Sequence, residues 1–401
     1  MKPDALRGVE SVDIYRNEVL TGALSRTAKG AVFTFDAAFY EAHRAFSGGI
    51  AQHLPYAQRT IACEGVNLHT YFAGLIPEGL RLRALEARTK TSADDLFTLL
   101  IAAGPDCVGD LFPCLPGAKA EPLELAREEL TSLDQISFQQ AFEQSIDSKH
   151  EPAIPGVQEK LSPSVISFPF ATSGRRWILK LNPPDKPRLV ENEHFFMTMA
   201  SACGLDVAKT RLVRDRDHAA GLLVERFDRK REGRKWRGVH QEDACQLLDR
   251  YPADKYKLTS TDIAEALSAC DAPAAERARL IELVAFSYLI GNGDLHGKNI
   301  SVSRRALLQL SPGYDLLSTR PYRDLKLALK IDGRDDNVTG KQLVAFGQRF
   351  GVPGRAVEAT LRRLTTLAAP FIPRVKELGY DARTTKQLVD LMKKRTAELK
   401  R

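Results

Sequence analysis

Asp294 and Asn299 stand five residues apart in the stretch LIGNGDLHGKN (289–299), and Asp315 follows Asn299 by sixteen residues in LSPGYDLLST (310–319). A carboxylate at Asp294 can accept the proton of a hydroxyl group. Asn299 and Asp315 offer the hard oxygen donors that a cation such as Mg²⁺ takes, with phosphate oxygens filling the rest of its shell. Upstream, Lys180 lies in the apolar run RRWILKL (175–181). A lysine on the inward face of a strand needs an anionic partner. Glu193, thirteen residues later on a helical stretch, is one candidate. Taken singly, each has a plain structural reading. Asp294 and Asn299 suit a turn, Lys180 suits an edge strand, and Glu193 suits the first turn of a helix, where the dipole favours acids. Taken in order, they form a set suited to phosphoryl transfer, in which positioning and charge stabilisation do most of the work.

The Asp-to-Asn spacing is that of the protein-kinase catalytic loop, H-R-D-L-x-x-x-N. In kinases the metal-binding Asp of D-F-G follows after a short hairpin. Here ISVSRRALLQL (300–310) reads as that hairpin, and the triplet at Asp315 is Asp-Leu-Leu. Gly156, in PAIPGVQEKLS (152–162), precedes the first strand of this region and permits a loop whose N–H groups approach a phosphate. It is not the G-x-x-x-x-G-K-[ST] pattern and carries little weight alone.

The elements that must hold these residues fall into an α+β order. Runs between Val12 and Asp36 alternate with turns and predict a β-meander. YFAGLIPEGLRLRALEAR (71–88) and SADDLFTLLIAAG (92–104) read as helices, with Ser92 and Asp95 in a capping arrangement and Gly104 as the stop. The Pro/Gly-rich and charged stretch 113–150 reads as a linker. A hairpin turning near Gly174 follows, then a helix ending at Gly204, then two strands meeting across DHAA (217–220). From His240 onward helical patterns dominate. The expected units are therefore 1–112, the linker 113–150, a β-rich lobe at 151–239 and a helical lobe at 240–401.

Composition is that of a water-soluble globular protein, at 43% apolar and 27% charged residues. No stretch reaches the roughly 20 apolar residues of a membrane helix, and the N-terminus lacks a secretory apolar region. A cytoplasmic protein with no membrane contact is expected. Six cysteines without metal-site spacing read as reduced thiols. A net charge of +7 permits a polyanionic partner without requiring one. The basic run DRKREGRKWRG (228–238), with Trp236, invites a nucleic-acid reading. A solvated loop explains it more simply.

GVQEKLS, WILKLN, NEHFFMTMA, LLVERFDR, HQEDACQLL, LIGNGDLHGKNIS and YDLLST, in that order, resemble the motifs of HipA-family serine/threonine kinases, the toxins of HipBA-type toxin–antitoxin modules. GALSR, FAGLIPEGLR and GPDCVGDL resemble the small domain that precedes the kinase domain in that family. The resemblance implies a two-lobed protein-kinase-like fold, with a β-rich N-lobe, an all-helical C-lobe and an added N-terminal α/β subdomain. It implies ATP and Mg²⁺ as cofactors. Asp294 matches the catalytic residue, Asn299 and Asp315 the metal ligands, and Lys180, partnered by Glu193, the ATP-phosphate lysine. Gly156, Val157, Gln158 and Lys160 match the nucleotide-covering loop. The backbone near Glu225 and Phe227 matches the adenine-side connector. His296 and Lys298 fall inside the catalytic loop, and the position of Lys298 suggests a role against γ-phosphate charge. The implied substrate is a translation component such as an aminoacyl-tRNA synthetase, with growth arrest as the outcome. The implied partner is a small helix-turn-helix antitoxin of HipB type, through which the chain reaches DNA indirectly. In one respect the sequence departs from the pattern: Ala153 stands where the family often carries a regulatory serine. Two other readings remain open. GDLHGKN also resembles the loop of aminoglycoside phosphotransferases, small-molecule enzymes, and a catalytically silent co-repressor partner would keep the fold alone.

Overall fold

β1 (Ser11–Arg16), β2 (Val19–Thr27) and β3 (Gly30–Phe35) form the expected antiparallel meander. Alternation dictates its faces: Val12 and Ile14 are fully buried, while Asp13 and Tyr15 turn outward. After a small hairpin of β4 (Gly49–Ala51) and β5 (Leu54–Pro55), β6 (Thr60–Glu64) and β7 (Leu111–Cys114) complete a five-stranded sheet, ordered β6-β3-β2-β1-β7. Its inner face packs Phe33 and Phe35 against Phe72 and Phe97 of the neighbouring helices. The structure, a computed structural model, describes residues 3–65, 68–104, 107–118, 137–138, 166–172, 175–183, 185–233, 235–304, 306–324 and 326–401. Gly156, Val157, Gln158, Lys160 and Ala153, and most of the stretch expected to be a linker, lie outside the described residues.

Two local expectations are corrected. The stretch 71–88 is not one helix but two, Thr70–Gly74 and Leu80–Thr89. Pro77 and Gly79, the latter at φ 67°, interrupt it and create a sharp corner at Ile76–Gly79. The next helix, Leu96–Ala103, is capped by Asp95 and not by Ser92. The Asp95 carboxylate accepts from the Thr98 N–H at 3.2 Å and pairs with Arg26 at 2.8 Å, whereas Ser92 offers its carbonyl to Asp95 N. Gly104 is its stop, at φ 73°.

The second sheet has the order β10-β11-β9-β8, from β8 (Ile166–Thr172), β9 (Arg175–Leu181), β10 (Thr210–Arg214) and β11 (Ala220–Glu225). Lys180 is on β9, between β11 and β8 in the sheet, in register with Leu222 of β11. The helix Leu189–Ala202 packs beneath it and ends ahead of Gly204, whose φ of 89° suits glycine. The basic run forms a hairpin, β12 (Arg229–Glu232) with β13 (Lys235–Gly238), rather than an irregular loop. Its charges are answered locally: Glu18 pairs with Lys235 and Arg237, and Glu232 with Lys230 and Arg237.

The helical lobe is built around Ala274–Ile290, whose final seven residues are all buried. Helices Ser260–Ala269, Gly340–Arg349, Gly354–Ala368 and Ala382–Leu399 surround it. The lobe is helical but not all-helical as expected: it also carries a three-stranded sheet of β14 (Glu242–Asp243), β15 (Ser301–Arg304) and β16 (Leu308–Leu310), ordered β14-β15-β16. One apolar core runs continuously from the second sheet through these helices, and the N-terminal sheet has its own. All six cysteines are free thiols. Among the described residues no helix is long and apolar enough to cross a membrane.

Asp228 ties the N-terminal sheet to the second lobe. It accepts from Arg226 and Arg229, each at 2.7 Å, and from the Gly109 N–H at 3.1 Å. Burial alone would raise its pKa, but the two guanidiniums outweigh that and hold it well below the usual carboxylate range. A depressed folded-state pKa contributes stability that is present above the unfolded value and lost as pH falls through the folded one. Asp228→Asn leaves two guanidiniums short of their carboxylate, and the expected cost is about 3–5 kcal/mol in urea unfolding at pH 7. The gap between wild type and variant should close as pH is lowered below about 4.

Candidate functional site

The ammonium of Lys180 donates to both oxygens of Glu193, at 2.8 and 3.0 Å, and to Asp315. Glu193 is fully buried, Lys180 nearly so, and Asp315 stands on the partly exposed side. Strand alternation turns Lys180 under the sheet, and the helix that follows β9 brings Glu193 back against it. Burial would lower the Lys180 pKa, yet Asp315 and Glu193 together hold it above its ordinary value, so it stays charged. Asp315 adopts a left-handed backbone at φ 56°, a conformation that Asp tolerates better than most residues. Asn192, next to Glu193, fixes the segment after Asp315: its amide donates to the Ser318 carbonyl and accepts from the Ser318 N–H, each at 2.9 Å. One helix therefore holds both carboxylates in place.

The stretch LIGNGDLHGKN begins where the central helix stops. Gly291 closes it in the left-handed region, at φ 74°, which is the C-terminal role expected of glycine. The Asn292 side chain accepts from the Asp294 N–H at 2.9 Å, and Thr319 accepts from the Gly293 N–H at 2.8 Å. A side chain at residue 293 would press within 2.5 Å of Asp324, so this glycine is needed for close approach. Asp294 is mostly buried and accepts from the Tyr256 hydroxyl at 2.6 Å. The Asn299 amide nitrogen donates to the Asp294 carbonyl at 2.8 Å, which turns the amide oxygen the other way. Asn292 Nδ2 reaches the Asp315 carbonyl at 3.5 Å and so links the two acidic segments. His296 lies 3.9 Å from Asp294, and burial pushes it down to about 3, so its imidazole is neutral at pH 7.

The structure thus gathers Asp294, Asn299, Asp315, Lys180, Glu193 and His296 in one region. Phe227 lies at its edge, its ring 5.6 Å from Tyr314, the residue before Asp315. Glu225 ends β11, and its N–H is bonded to the Lys209 carbonyl at 2.8 Å. Lys298 donates to the Gly74 carbonyl at 3.2 Å and lies 3.9 Å from Glu78 and 3.8 Å from Asp243. Its charge is therefore answered by two carboxylates and a carbonyl, which is not the arrangement expected of a cation set against γ-phosphate. Four residues here have no counterpart in the sequence reading: Asn192, Tyr256, Lys255 and Glu78. Only Glu78 carried a visible signal, an acid inside a Pro-Glu-Gly corner.

The donor chemistry fits a hard cation. Asp315 supplies a carboxylate and Asn299 a carbonyl oxygen. Among the described residues no group of three or more His, Cys, Asp or Glu side chains forms a metal cage.

Comparison with known proteins decides the family. Residues 153–370, more than half of the chain, match the HipA-like C-terminal domain, and residues 12–112 match the HipA N-terminal domain. The chain belongs to the HipA family. Y4mE of Sinorhizobium fredii, named as a kinase, is 33% identical over 336 residues, covering 77% of this chain and 78% of that protein. The serine/threonine-protein kinase toxin HipA of Shewanella oneidensis is 28% identical over 326 residues, covering 73% and 74% respectively. A solved structure of Shewanella oneidensis HipA with HipB and operator DNA shares the fold. Its TM-score is 0.74, over 96% of both chains, at 22% identity. This HipA-family chain is accordingly a serine/threonine kinase with a two-lobed kinase-like fold, and a kinase of this kind takes ATP with a divalent cation.

Replacing Lys180 by Met leaves Glu193 as a buried carboxylate without its ammonium. The expected loss is about 3–5 kcal/mol, read by chemical denaturation. A Lys180→Met, Glu193→Leu double variant should recover most of that stability, because an apolar pair in place of a buried ion pair is often neutral. It should not recover ATP binding.

Proposed function

We propose that this HipA-family kinase transfers the γ-phosphoryl of ATP to a hydroxyl group of a protein target, with Asp294 as the residue that orients the hydroxyl and receives its proton. The observation that carries this reading is the bidentate Lys180–Glu193 pair joined to Asp315. A buried ammonium flanked by two carboxylates, one of them partly exposed, has the parts of a phosphate-holding lysine, its helix counter-ion and a metal-binding Asp. Asn299 and Asp315 would hold the cation, for which we propose Mg²⁺; when bound, it neutralises charge on the transferring phosphates. Asp294 needs no unusual acidity, since its task is chiefly to align the hydroxyl for in-line attack. Gly156, Val157, Gln158 and Lys160 are proposed to cover the nucleotide.

The solved relative lies with HipB and operator DNA. That supports a HipB-type antitoxin as the partner of this chain, with DNA reached only through it. The family resemblance supports a translation component such as an aminoacyl-tRNA synthetase as the target, growth arrest as the consequence, and the cytoplasm as the place of action. With Ala153 at the place of the family's regulatory serine, restraint by the antitoxin is the simpler mechanism.

Incubating the chain and radiolabelled ATP with a lysate of its host tests the reading. A labelled protein band is the expected result; label appearing in small metabolites would favour a small-molecule acceptor. Asp294→Asn should lower the transfer rate by about 10²–10⁴-fold, the usual contribution of a positioned base. Its affinity for ATP should remain near that of the wild type. Undiminished labelling by the Asp294→Asn protein would overturn the assignment.

A further inference from the structure

The corner that breaks the N-terminal helix delivers Glu78 to the catalytic loop. One carboxylate oxygen of Glu78 accepts from the Lys255 ammonium at 2.8 Å, and the other lies 3.9 Å from Lys298. Lys255 is almost fully buried, and its carbonyl accepts from the Gly297 N–H at 3.0 Å, inside the loop. The adjacent Tyr256 gives its hydroxyl to Asp294 at 2.6 Å and sets its ring edge-on to His296, with centroids 4.9 Å apart. Lys298, one residue before Asn299, is hydrogen-bonded to the Gly74 carbonyl of the same N-terminal segment. Glu78 therefore addresses the loop from both ends: through Lys255 and Tyr256 to Asp294, and through Lys298 to the metal-ligand side.

We propose that Glu78 of the N-terminal domain is a positioning residue for the phosphoryl-transfer site, setting the catalytic loop through Lys255–Tyr256 and Lys298. The inference rests on the reading of Asp294 as the hydroxyl-orienting residue. It differs from simple docking, because the domains are already joined by bonds that do not touch the loop. Thr70 donates to Asp249 at 2.5 Å, Tyr251 to the Leu68 carbonyl at 2.7 Å, and Gln246 to the Tyr71 carbonyl at 2.8 Å. These survive loss of the Glu78 charge, whereas Lys255 and Lys298 would then share a low-dielectric space with Asp243 as the nearer remaining carboxylate. Two like charges so placed repel, and the loop they hold shifts. A displacement of about 1 Å in a reacting group can cost on the order of 10²-fold in rate. In this arrangement the N-terminal domain is part of the catalytic apparatus and not an appendage.

The test uses the full chain, with casein as a generic acceptor, hydrolysis of ATP as a second readout, and calorimetry for ATP affinity. Glu78→Gln should lower kcat about 10²-fold while the Kd for ATP stays within about twofold of the wild type. Glu78→Asp, which keeps the charge, should restore part of the loss. Tyr256→Phe, which removes only the last link, should cost about tenfold, as supporting hydrogen bonds to site residues commonly do. Thr70→Val, a junction change that spares the loop, should leave kcat unchanged and serves as the control for docking. Glu78→Gln with wild-type kcat overturns the inference. So does an equal loss of kcat in Thr70→Val, or a loss in Glu78→Gln matched by weakened ATP binding. Where Glu78→Gln does not fold, Tyr256→Phe and Glu78→Asp decide, and wild-type kcat in Tyr256→Phe overturns the proposal. Asp294→Asn run alongside separates the two failures. If it is inactive while Glu78→Gln is active, the positioning role falls and the reading of Asp294 stands; if it is active, that reading falls first.

Discussion

A primary ammonium stays charged inside a protein only if carboxylates stand beside it, and the rest of this structure is arranged around that constraint at Lys180. The lysine is buried by the sheet, so Glu193 must be buried with it, and the helix Leu189–Ala202 must lie close beneath the strand. The second carboxylate, Asp315, comes from 135 residues away in sequence. It can meet Lys180 only if the helical lobe closes against the sheet. Asn192 enforces that closure with two hydrogen bonds to the backbone of Ser318. The cluster thus fixes the distance between the lobes and, through Asn292, the approach of the Asp294 loop.

The polar segment at 291–299 obeys a second constraint. A loop rich in Asp, Asn, His and Lys can be buried only if its groups find partners, and nearly every one of them does. Gly291 ends the central helix, Gly293 and Gly297 admit neighbours that a side chain would displace, and Asn292 and Thr319 accept from the buried N–H groups of Asp294 and Gly293. The glycines are present for room and the amides for satisfaction. Within the loop the Asp294 carboxylate accepts from the Tyr256 hydroxyl, and the Asn299 amide nitrogen donates to the Asp294 carbonyl.

Most of this was legible from local pattern. The meander, the hairpin of β8 and β9, the helix carrying Glu193 and the hairpin after Asn299 all follow from alternation, turn residues and caps, which act over a few positions. Lys180 was legible because a lysine in an apolar strand violates a strong rule, and a violated rule asks for a partner. Two local readings failed for local reasons. A Pro-Glu-Gly corner outweighed the helical periodicity of residues 71–88, and Asp95 outcompeted Ser92 because it could also pair with Arg26. The direction of Lys298 was not legible at all. Its partners, Gly74, Glu78 and Asp243, are brought to it by tertiary packing, and nothing near position 298 announces them.

That blind spot has a physical pattern. Residues that perform chemistry must keep particular types at particular spacings within one segment, so they leave a trace in sequence order. Residues that hold those segments act across long separations and are free to come from any element that packs nearby. Glu78 reaches Lys255 across 177 positions, and Tyr256 reaches Asp294 across 38. The helix break at Pro77, which looks like a defect in periodicity, is what turns the Glu78 carboxylate toward the catalytic lobe. The break takes up only residues 75–79 between the two helices, and it sets Glu78 against Lys255 and Lys298, whose neighbours form the loop bearing Asp294.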